Sequence, residues 1–460
     1  MTTLASIPVH SPHTGELVGA APAADAEQTR ALLDAGAAYT NELSRHERSQ
    51  ILFGVAEALE GHRAELATLI SSESGLCLKD TRYEVGRAID VFRFAAIEAL
   101  RDDGETYAGD TSAHGRRRRA HTMAVPVRLV AAITPFNHPL NQVAHKLAPA
   151  IAAGAPIVVK PSEKTPLSAL ALIRLIRDAG LPEPAAQVVC GEASEILDAF
   201  LSHDAVEVIS FTGGVPVGKS IAARLGYRRA VLELGGNDPL IVLADADLDE
   251  AAELAVRGAF QNSGQRCTAV KRIVAVEAVA DALAARLASA AAALRAGDPM
   301  DESTDVGTVI DEAAARVIES RIHAAASDGA ALLYGGERHG ALLTPAVLDH
   351  VPSSATLVAS ETFGPVAPII RVAGLDEAIA VANSTPYALS SGVCTFDWRA
   401  IARCIRELRA GTVNIREVPG WRTELTPFGG TGDSGLGVKE GVREAMRAMS
   451  FTKLYTLPWS

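Results

Sequence analysis

The segment VEVISFTGGVPVGKSIAARLG, Val206–Gly226, decides the fold of this chain. A β-branched and aromatic run ends at Thr212, two glycines follow, and a helical pattern begins after them. The same alternation of short strand and helix occurs on both sides of the segment, upstream from Val125 and downstream after Gly236. Alternating strands and helices indicate βαβ units, which form a parallel sheet covered by helices on both faces. The sequence therefore predicts an α/β fold.

The flanking segments extend this pattern. Apolar residues spaced three and four apart predict helices throughout the first hundred residues. The further predicted strands are VRLVAAITPFN, APIVVKPSE, AAQVVCG and, after Gly236, DPLIVLAD. The arginine run GRRRRAH, Arg116–Arg119, is interpreted as a solvated or subunit-facing edge strand, because charges at an edge discourage wrong strand pairing.

Composition limits the class of protein. A chain of 460 residues suggests two or three domains, and a net charge of −12 argues against nucleic acid or an anionic membrane as a partner. The five cysteines are scattered without a C-x-x-C pair, so neither a disulfide framework nor a metal site is predicted. No signal peptide or membrane-spanning run is apparent, and a cytoplasmic location is expected.

Two segments suit a phosphate-bearing cofactor. Gly213 and Gly218 lie where a strand gives way to a helix, whose first N–H groups attract anions, although a tight structural turn explains these glycines about as well. Lys160 and Glu163 follow the strand IVVK, and ligands bind beyond the carboxyl ends of parallel strands. Two exposed charges after a strand are the alternative.

Three further residues suit nucleophilic chemistry. Cys267 stands in NSGQRCTAVKR beside Arg266, and a neighbouring cation favours the reactive thiolate. Glu233 ends an apolar run, where desolvation would raise its pKa into the range of a general base. Asn137 follows a strand and could donate to an oxyanion, although an asparagine in a Pro-rich turn is commonly a turn residue.

Taken together, these motifs resemble the aldehyde dehydrogenase superfamily. The resemblance runs from about Ser11 to the closing FTKLYTLPW, and the motifs that carry it are PFNHP, VVKPSE, FTGG, LELGG, GQRC, ETFGP and PFGGTGDSG. It implies that Cys267 is the nucleophile, that Asn137 and the Cys267 N–H form the oxyanion hole, and that Glu233 activates the deacylating water. The presence of Glu233 favours a carboxylic acid over a coenzyme A thioester as the product.

The resemblance also implies a nicotinamide cofactor. NAD is preferred over NADP because Glu163 would repel a 2′-phosphate, although NADP stays possible. The residues implied in cofactor binding are Lys160, Glu163, Gly213, Gly218, Glu361 and Phe363. Gly214 stands where the family often has serine.

Within the superfamily, PFNHPLNQVAHK, GQRCTAVKR and SFTKLYTLPW look most like the phosphonoacetaldehyde dehydrogenases. The substrate implied is phosphonoacetaldehyde or phosphonoformaldehyde, with Arg87, His138, Arg266 and Arg422 as the residues that bind its anionic group. Glyceraldehyde 3-phosphate and lactaldehyde are alternative substrates, and a non-catalytic relative is the alternative of another class.

The resemblance implies three structural parts and a homodimer or homotetramer. Residues 1–114 and 131–236 would form a Rossmann-like NAD-binding domain, and residues 237–442 an α/β catalytic domain. Residues 115–130 and 443–460 would form a small β oligomerisation arm that pairs between subunits.

Overall fold

A computed structural model describes residues 6–101 and 104–459. The chain opens with an antiparallel hairpin, β1 (Ser6–His10) and β2 (Leu17–Pro22), so the prediction of helices throughout the first hundred residues is wrong at this point. The four helices that follow are α1 (Ala26–Ala38), α2 (Arg45–Gly61), α3 (Arg63–Ser74) and α4 (Leu78–Ala99). Asp25 and Ser44 begin α1 and α2 with capping boxes, which satisfy N–H groups that a helix start leaves free.

The next two strands are β3 (Thr106–Ala108) and β4 (Arg118–Pro126). They lead into the first parallel sheet, whose elements in chain order are β5 (Val130–Ile133), α5 (Asn141–Ala153), β6 (Ile157–Lys160), α6 (Leu167–Asp178), β7 (Ala186–Val188), α7 (Ala193–Ser202), β8 (Val208–Thr212), α8 (Val215–Arg224) and β9 (Arg229–Glu233). The strand order is β7-β6-β5-β8-β9, and all neighbours are parallel. The chain therefore crosses from one side of β5 to the other between β7 and β8, the kind of point where α/β sheets bind ligands.

A second sheet follows β9. Its seven strands, in the order β12-β15-β16-β11-β10-β18-β19, are parallel except where β12 meets β15. The elements that follow β9 in the chain, including strands outside this sheet, are β10 (Asp238–Val242), α9 (Leu248–Phe260), β11 (Val270–Val276), α10 (Glu277–Ala292), α11 (Glu312–Ser327), β12 (Ala331–Tyr334), β13 (Arg338–His339), β14 (Leu342–Leu343), β15 (Ala346–Asp349), α12 (Thr356–Ala359), β16 (Val366–Val372), α13 (Leu375–Ala382), β17 (Tyr387–Ala388), β18 (Ser390–Cys394), α14 (Trp398–Glu407), β19 (Thr412–Ile415), β20 (Thr431–Gly432), α15 (Val442–Ala448) and β21 (Ser450–Pro458).

The last two residues of the arginine run, Arg118 and Arg119, begin β4, which belongs to a small separate sheet with the strand order β21-β4-β3. The prediction that it forms a strand is confirmed, but β4 is the middle strand and not an edge, because β21 returns from the C-terminus to pair with it along its whole length. Arg118 donates a hydrogen bond to the Thr456 carbonyl at 3.0 Å, and Arg119 lies 4.5 Å from the Trp459 ring centroid. β3 belongs to this sheet although its residues precede position 115. The domain boundaries otherwise stay a prediction.

Both parallel sheets are buried on both faces. Every residue of β6, β8, β10 and β11 is buried, and the flanking helices contribute apolar clusters on each side. Across the described part of the chain no helix is both long and apolar enough to cross a membrane. Within residues 6–101 and 104–459, no group of three or more histidine, cysteine or acidic side chains could hold a metal ion.

Candidate active site

Cys267 lies at a cavity of about 220 Å³ lined by residues of α4, α5 and α9 and of the loops that follow α9, β5 and β19. The chain reaches it through a tight turn after α9, in which Asn262 and Ser263 have φ values of 60° and 52°. Such left-handed backbone is unfavourable for residues other than glycine and persists only where surroundings hold it. Here the Asp80 carboxylate accepts from the Asn262 N–H at 2.7 Å, and the Asn262 amide donates to the Asn137 carbonyl at 3.0 Å. The turn therefore fixes both Cys267 and Asn137.

Asn137 lines the same cavity as Cys267. Its side-chain nitrogen donates to the Gln265 carbonyl at 2.7 Å, which orients the amide. An amide nitrogen carries two N–H groups, so one stays available to an oxygen in the cavity. The geometry allows the oxyanion contact predicted from the sequence, whose role stays a prediction.

The Cys267 thiol is partly open to the cavity but otherwise surrounded by protein. Burial raises its pKa to about 12, while Lys271 acts in the opposite direction and Glu361, Asp238 and Glu233 add to the rise. The cation that most favours the thiolate is therefore Lys271, which sequence reasoning missed because it lies four positions away. The other four cysteines are buried and free.

Arg266, expected to tune the thiol, is engaged elsewhere. Its Nη2 donates to the carbonyls of Arg257 and Gly258 at 3.0 and 2.7 Å. These carbonyls lie in the last turn of α9, the negative end of the helix dipole, which attracts a cation. Arg266 also interacts electrostatically with Cys267, but Lys271 is the cation with the larger influence on the thiol. The Arg266 Nε is buried and has no hydrogen-bond partner among the described residues.

Glu233 ends β9 and is 3% exposed. Neither of its carboxylate oxygens has a hydrogen-bond partner in the part of the chain that the structure describes. Burial and then the nearby Glu440 raise its pKa well above the ordinary range, opposed by Lys146 and Arg422. The predicted upward shift is confirmed. An acid that no group holds in place, with a raised pKa, is suited to exchange a proton with water.

A buried ion pair lies behind Glu233. Lys146 of α5 donates from Nζ to Glu440, and the two side chains are 1% and 2% exposed. Burial would raise the pKa of Glu440, but Lys146, His145 and Arg422 together outweigh it and lower that pKa to about 2, so the carboxyl is ionised. Sequence reasoning missed both residues, because the pair is separated by 294 positions. A lysine inside an apolar helical stretch was the one available signal.

The predicted cofactor residues Lys160 and Glu163 lie together at the end of β6. The buried Lys160 ammonium is 2.7 Å from the half-exposed Glu163 carboxylate. Burial would raise the pKa of Glu163, and Lys160 lowers it, so the carboxylate is ionised. Glu192, which begins α7, also acts on Lys160 and was not predicted from the sequence.

The predicted glycines serve two different purposes. Gly213 follows β8 and donates its N–H to the Glu233 carbonyl at 3.0 Å. Gly218, assigned from the sequence to the same turn, instead lies inside α8, where a Cβ would come within 2.3 Å of the Leu234 side chain. Gly218 therefore lets α8 pack tightly against the chain after Glu233. The free N–H groups at the start of α8 fit a phosphate-bearing cofactor, and so does the buried Thr212 hydroxyl, which has no hydrogen-bond partner among the described residues.

Glu361 and Phe363, which the sequence predicts to bind a cofactor, both lie near Lys271. The Glu361 carboxylate accepts from the Gly236 N–H at 3.1 Å and lies 3.5 Å from the Lys271 ammonium. The Phe363 ring meets Phe136 edge to face, with centroids 5.9 Å apart. Glu361 is therefore next to Gly236 and to Lys271, the second residue of β11, and the Phe363 ring centroid lies 5.7 Å from the same Lys271 ammonium.

All four residues predicted to bind an anion line the Cys267 cavity: Arg87, His138, Arg266 and Arg422. They differ in whether their side-chain nitrogens already have a hydrogen-bond partner among the described residues. The Arg422 guanidinium lies 4.1 Å from the Phe428 ring centroid, and its Nη1 is buried with no partner among residues 6–101 and 104–459. His138 Nδ1 is likewise buried and unpartnered, 3.6 Å from Glu84.

Arg87 is neutralised by Glu424. Its Nε donates to one Glu424 oxygen, and His145 Nε2 lies 2.6 Å from the other. Burial lowers the pKa of His145, so the imidazole is neutral and leaves Arg87 as the counter-ion of Glu424. Arg87 therefore offers less charge to a substrate than the sequence suggested. Glu424 was not predicted as a site residue.

Comparison with known proteins identifies what this arrangement is similar to. The model of the aldehyde dehydrogenase family matches residues 2–455. A sulfoacetaldehyde dehydrogenase of Neptuniibacter caesariensis is 38% identical over 94% of each chain. A lactaldehyde dehydrogenase of Methanococcus aeolicus is 35% identical over 97% of this chain and 96% of its own. The structure of an NADP-dependent glyceraldehyde-3-phosphate dehydrogenase from Bacillus halodurans, complexed with NADP, superposes with a TM-score of 0.96 at 37% identity, covering 100% of this chain and 97% of that one.

Proposed function

This chain belongs to the aldehyde dehydrogenase family, and we propose that it oxidises a short aldehyde carrying an anionic end group to the carboxylic acid. As a member of that family it is an NAD(P)-dependent enzyme that acts on a small aldehyde. The observation that carries the proposal is the Cys267 cavity, which four arginines and His138 line together with Asp80 and Asn137.

The charge of the cavity supports an anionic substrate. Arg422 and Arg266 each keep a buried N–H without a hydrogen-bond partner in the described chain. A buried donor left unpaired costs about 1–3 kcal/mol, so a ligand that accepts from it is favoured. Guanidinium groups suit the oxygens of sulfonate, phosphonate, phosphate and carboxylate ions.

The size of the cavity supports a short substrate. Its volume of about 220 Å³ lies below the roughly 300–1,000 Å³ of pockets for drug-sized ligands. An aldehyde of two or three carbons with one end group fits this limit.

We propose only the chemical class of the end group, an anionic group, and not its identity. The phosphono-aldehydes implied by the sequence, phosphonoacetaldehyde and phosphonoformaldehyde, belong to it. The relatives compared above, however, are named for a sulfonate, a phosphate and the neutral lactaldehyde, so a preference for phosphonate has no support from them. Sulfoacetaldehyde therefore joins the phosphono-aldehydes and glyceraldehyde 3-phosphate as a candidate, and lactaldehyde is the neutral alternative.

The residues suggest how the reaction proceeds. The Cys267 thiolate attacks the aldehyde carbon, and the oxygen that becomes negative accepts from Asn137 and the Cys267 N–H. The bound nicotinamide supplies the hydride acceptor. The resulting Cys267 thioester is attacked by water, whose proton passes to Glu233, and its breakdown releases the carboxylic acid and restores the thiolate.

The cofactor is proposed to bind across the first parallel sheet. Lys160 and Glu163 would contact the adenosine ribose, Gly213 and the start of α8 the pyrophosphate, and Glu361 with Phe363 the nicotinamide end. Gly218 contributes by close packing. We propose NAD as the better cofactor because Glu163 is ionised and Glu192 adds a second carboxylate near Lys160, which disfavours a 2′-phosphate.

The arm is proposed to pair between subunits of a homodimer or homotetramer. Its strands expose apolar side chains, among them Tyr107 and Leu454, at 49% and 60%. Exposed apolar surface of this kind is typical of an interface. The molar mass measured by light scattering after size-exclusion chromatography tests the proposed oligomer, and the mass of a monomer would contradict it.

The substrate proposal is tested by kcat/KM from NADH formation. Sulfoacetaldehyde, phosphonoacetaldehyde and glyceraldehyde 3-phosphate are compared with propanal and lactaldehyde. We expect at least one anionic aldehyde to exceed both neutral ones by about a hundredfold or more, equivalent to about 2.7 kcal/mol. A flat profile, or a preference for lactaldehyde, would contradict the anionic class while leaving aldehyde oxidation intact.

A further inference from the structure

Lys271 is an unusual residue for its position. It is the second residue of β11, a strand flanked on both sides in the second sheet, and it is 3% exposed. A lysine in such surroundings is costly unless its ammonium group is paired and hydrogen-bonded. The other residues of β11 are apolar except for Arg272, so the sequence pattern gives the lysine no structural purpose.

The contacts of Lys271 all lie at the proposed active site. Its Nζ donates to the carbonyl of Cys267 at 3.0 Å and to the carbonyl of Arg266. The same nitrogen is 3.5 Å from the Glu361 carboxylate and 5.7 Å from the Phe363 ring centroid. One ammonium group thus joins the backbone that carries the nucleophile to both residues proposed at the nicotinamide end.

The other charged groups around the thiol do not replace it. Arg266 is engaged with the end of α9, and Arg272 donates to the carbonyls of Asn237, Val381 and Ala382. On the acidic side, Glu361, Asp238 and Glu233 all oppose the thiolate. Burial raises the pKa of Asp238 to about 8, with Lys271 the main opposing charge.

We propose that Lys271 is a positioning residue that supplies the positive charge favouring the Cys267 thiolate and fixes the peptide that carries it. This inference rests on the proposed role of Cys267 as nucleophile. It also assigns the function that the sequence suggested for Arg266 to a different residue. Because Lys271 contacts Glu361 as well, it links the nucleophile to the cofactor side of the site.

The test is the pH dependence of Cys267 alkylation by iodoacetamide in the full-length enzyme, followed by peptide mass spectrometry. Lys271→Gln removes the charge but keeps an N–H donor, Lys271→Met removes both, and Lys271→Arg keeps both. An adjacent opposite charge shifts a pKa by about 1–3 units. Below the midpoint the alkylation rate follows the thiolate fraction, which falls about tenfold for each unit by which the pKa rises. We therefore expect alkylation between pH 7 and 9 to be at least about tenfold slower in the Gln and Met variants and to stay near the wild-type rate in Lys271→Arg.

Two results would overturn the inference. One is an unchanged alkylation rate in Lys271→Gln, and the other is a slower rate in Lys271→Met alone, which would assign the effect to the hydrogen bonds. If Lys271→Met does not fold, the Gln and Arg variants decide the question by themselves. A Cys267→Ser variant that still oxidises aldehydes would instead contradict the proposed function, so the two failures are distinguishable.

Discussion

Replacing Glu233 with glutamine is expected to lower activity and raise stability at the same time. The substitution keeps the shape of the side chain and removes a carboxylate that has no hydrogen-bond partner among the described residues. Without the proposed base, thioester hydrolysis slows by about 10²–10⁴-fold, the usual contribution of a general base. Acylation does not need this base once the thiolate is formed. The variant should therefore release one equivalent of NADH per site in a burst and then turn over slowly.

The stability gain follows from the raised pKa of Glu233. Above the ordinary carboxyl range the unfolded chain releases the proton that the folded chain keeps, so wild-type stability falls as pH rises toward the raised pKa. Each pH unit in that window costs about 1.4 kcal/mol. Glu233→Gln lacks this cost. Its free energy of unfolding should exceed that of wild type by a margin that grows from pH 5 upward and levels off above the raised pKa.

The assay combines rapid-mixing measurement of NADH with urea unfolding at several pH values and one protein concentration. The matched control is Glu319→Gln, which removes from α11 a carboxylate that is paired with Arg338. It should change neither the turnover rate nor the pH dependence of stability appreciably. Steady-state turnover within tenfold of wild type would refute the role of Glu233 as base. A stability difference that does not vary with pH would refute the argument from its buried charge.

Two further substitutions test the binding residues. Arg422→Met should lower kcat/KM for the preferred anionic aldehyde by about 10–100-fold, the worth of a charged hydrogen bond. It should lower kcat/KM for propanal by less than about threefold, and equal losses for the two aldehydes would exclude Arg422 from anion binding. Arg316→Met, at an exposed arginine, serves as the control. Glu163→Gln should raise the ratio of kcat/KM for NADP over NAD by about tenfold, because it removes the carboxylate that repels a 2′-phosphate; an unchanged ratio would show that Glu163 does not select the cofactor.

Much of the fold follows from local patterns. The β-branched runs and the glycines after Thr212 and Glu233 predict the parallel strands, because strands buried on both faces are continuously apolar. The β1–β2 hairpin was missed, since two short strands carry little periodicity among long helices. The middle position of β4 was missed because its partner β21 comes from the far end of the chain.

For the candidate site as well, the sequence predicts which residues take part, but it does not predict which of them contact each other. Cys267, Asn137 and the predicted arginines line one cavity, as the sequence motifs suggested, and Glu233 lies close enough to act on the Cys267 thiol electrostatically. Which cation acts on the thiol could not be predicted, because the left-handed turn at Asn262 and Ser263 sets the direction of each side chain after it. The pairings Arg87–Glu424 and Lys146–Glu440 were also out of reach, since each joins residues hundreds of positions apart.

The most direct test of the central claim is to identify the residue that carries the acyl group. Glu233→Gln is mixed with NAD and the preferred anionic aldehyde, quenched in acid during the burst, and digested for peptide mass spectrometry. We predict an acyl adduct on Cys267, in an amount equal to the NADH formed. NADH formed without an adduct, or an adduct on another residue, would contradict oxidation through a Cys267 thioester.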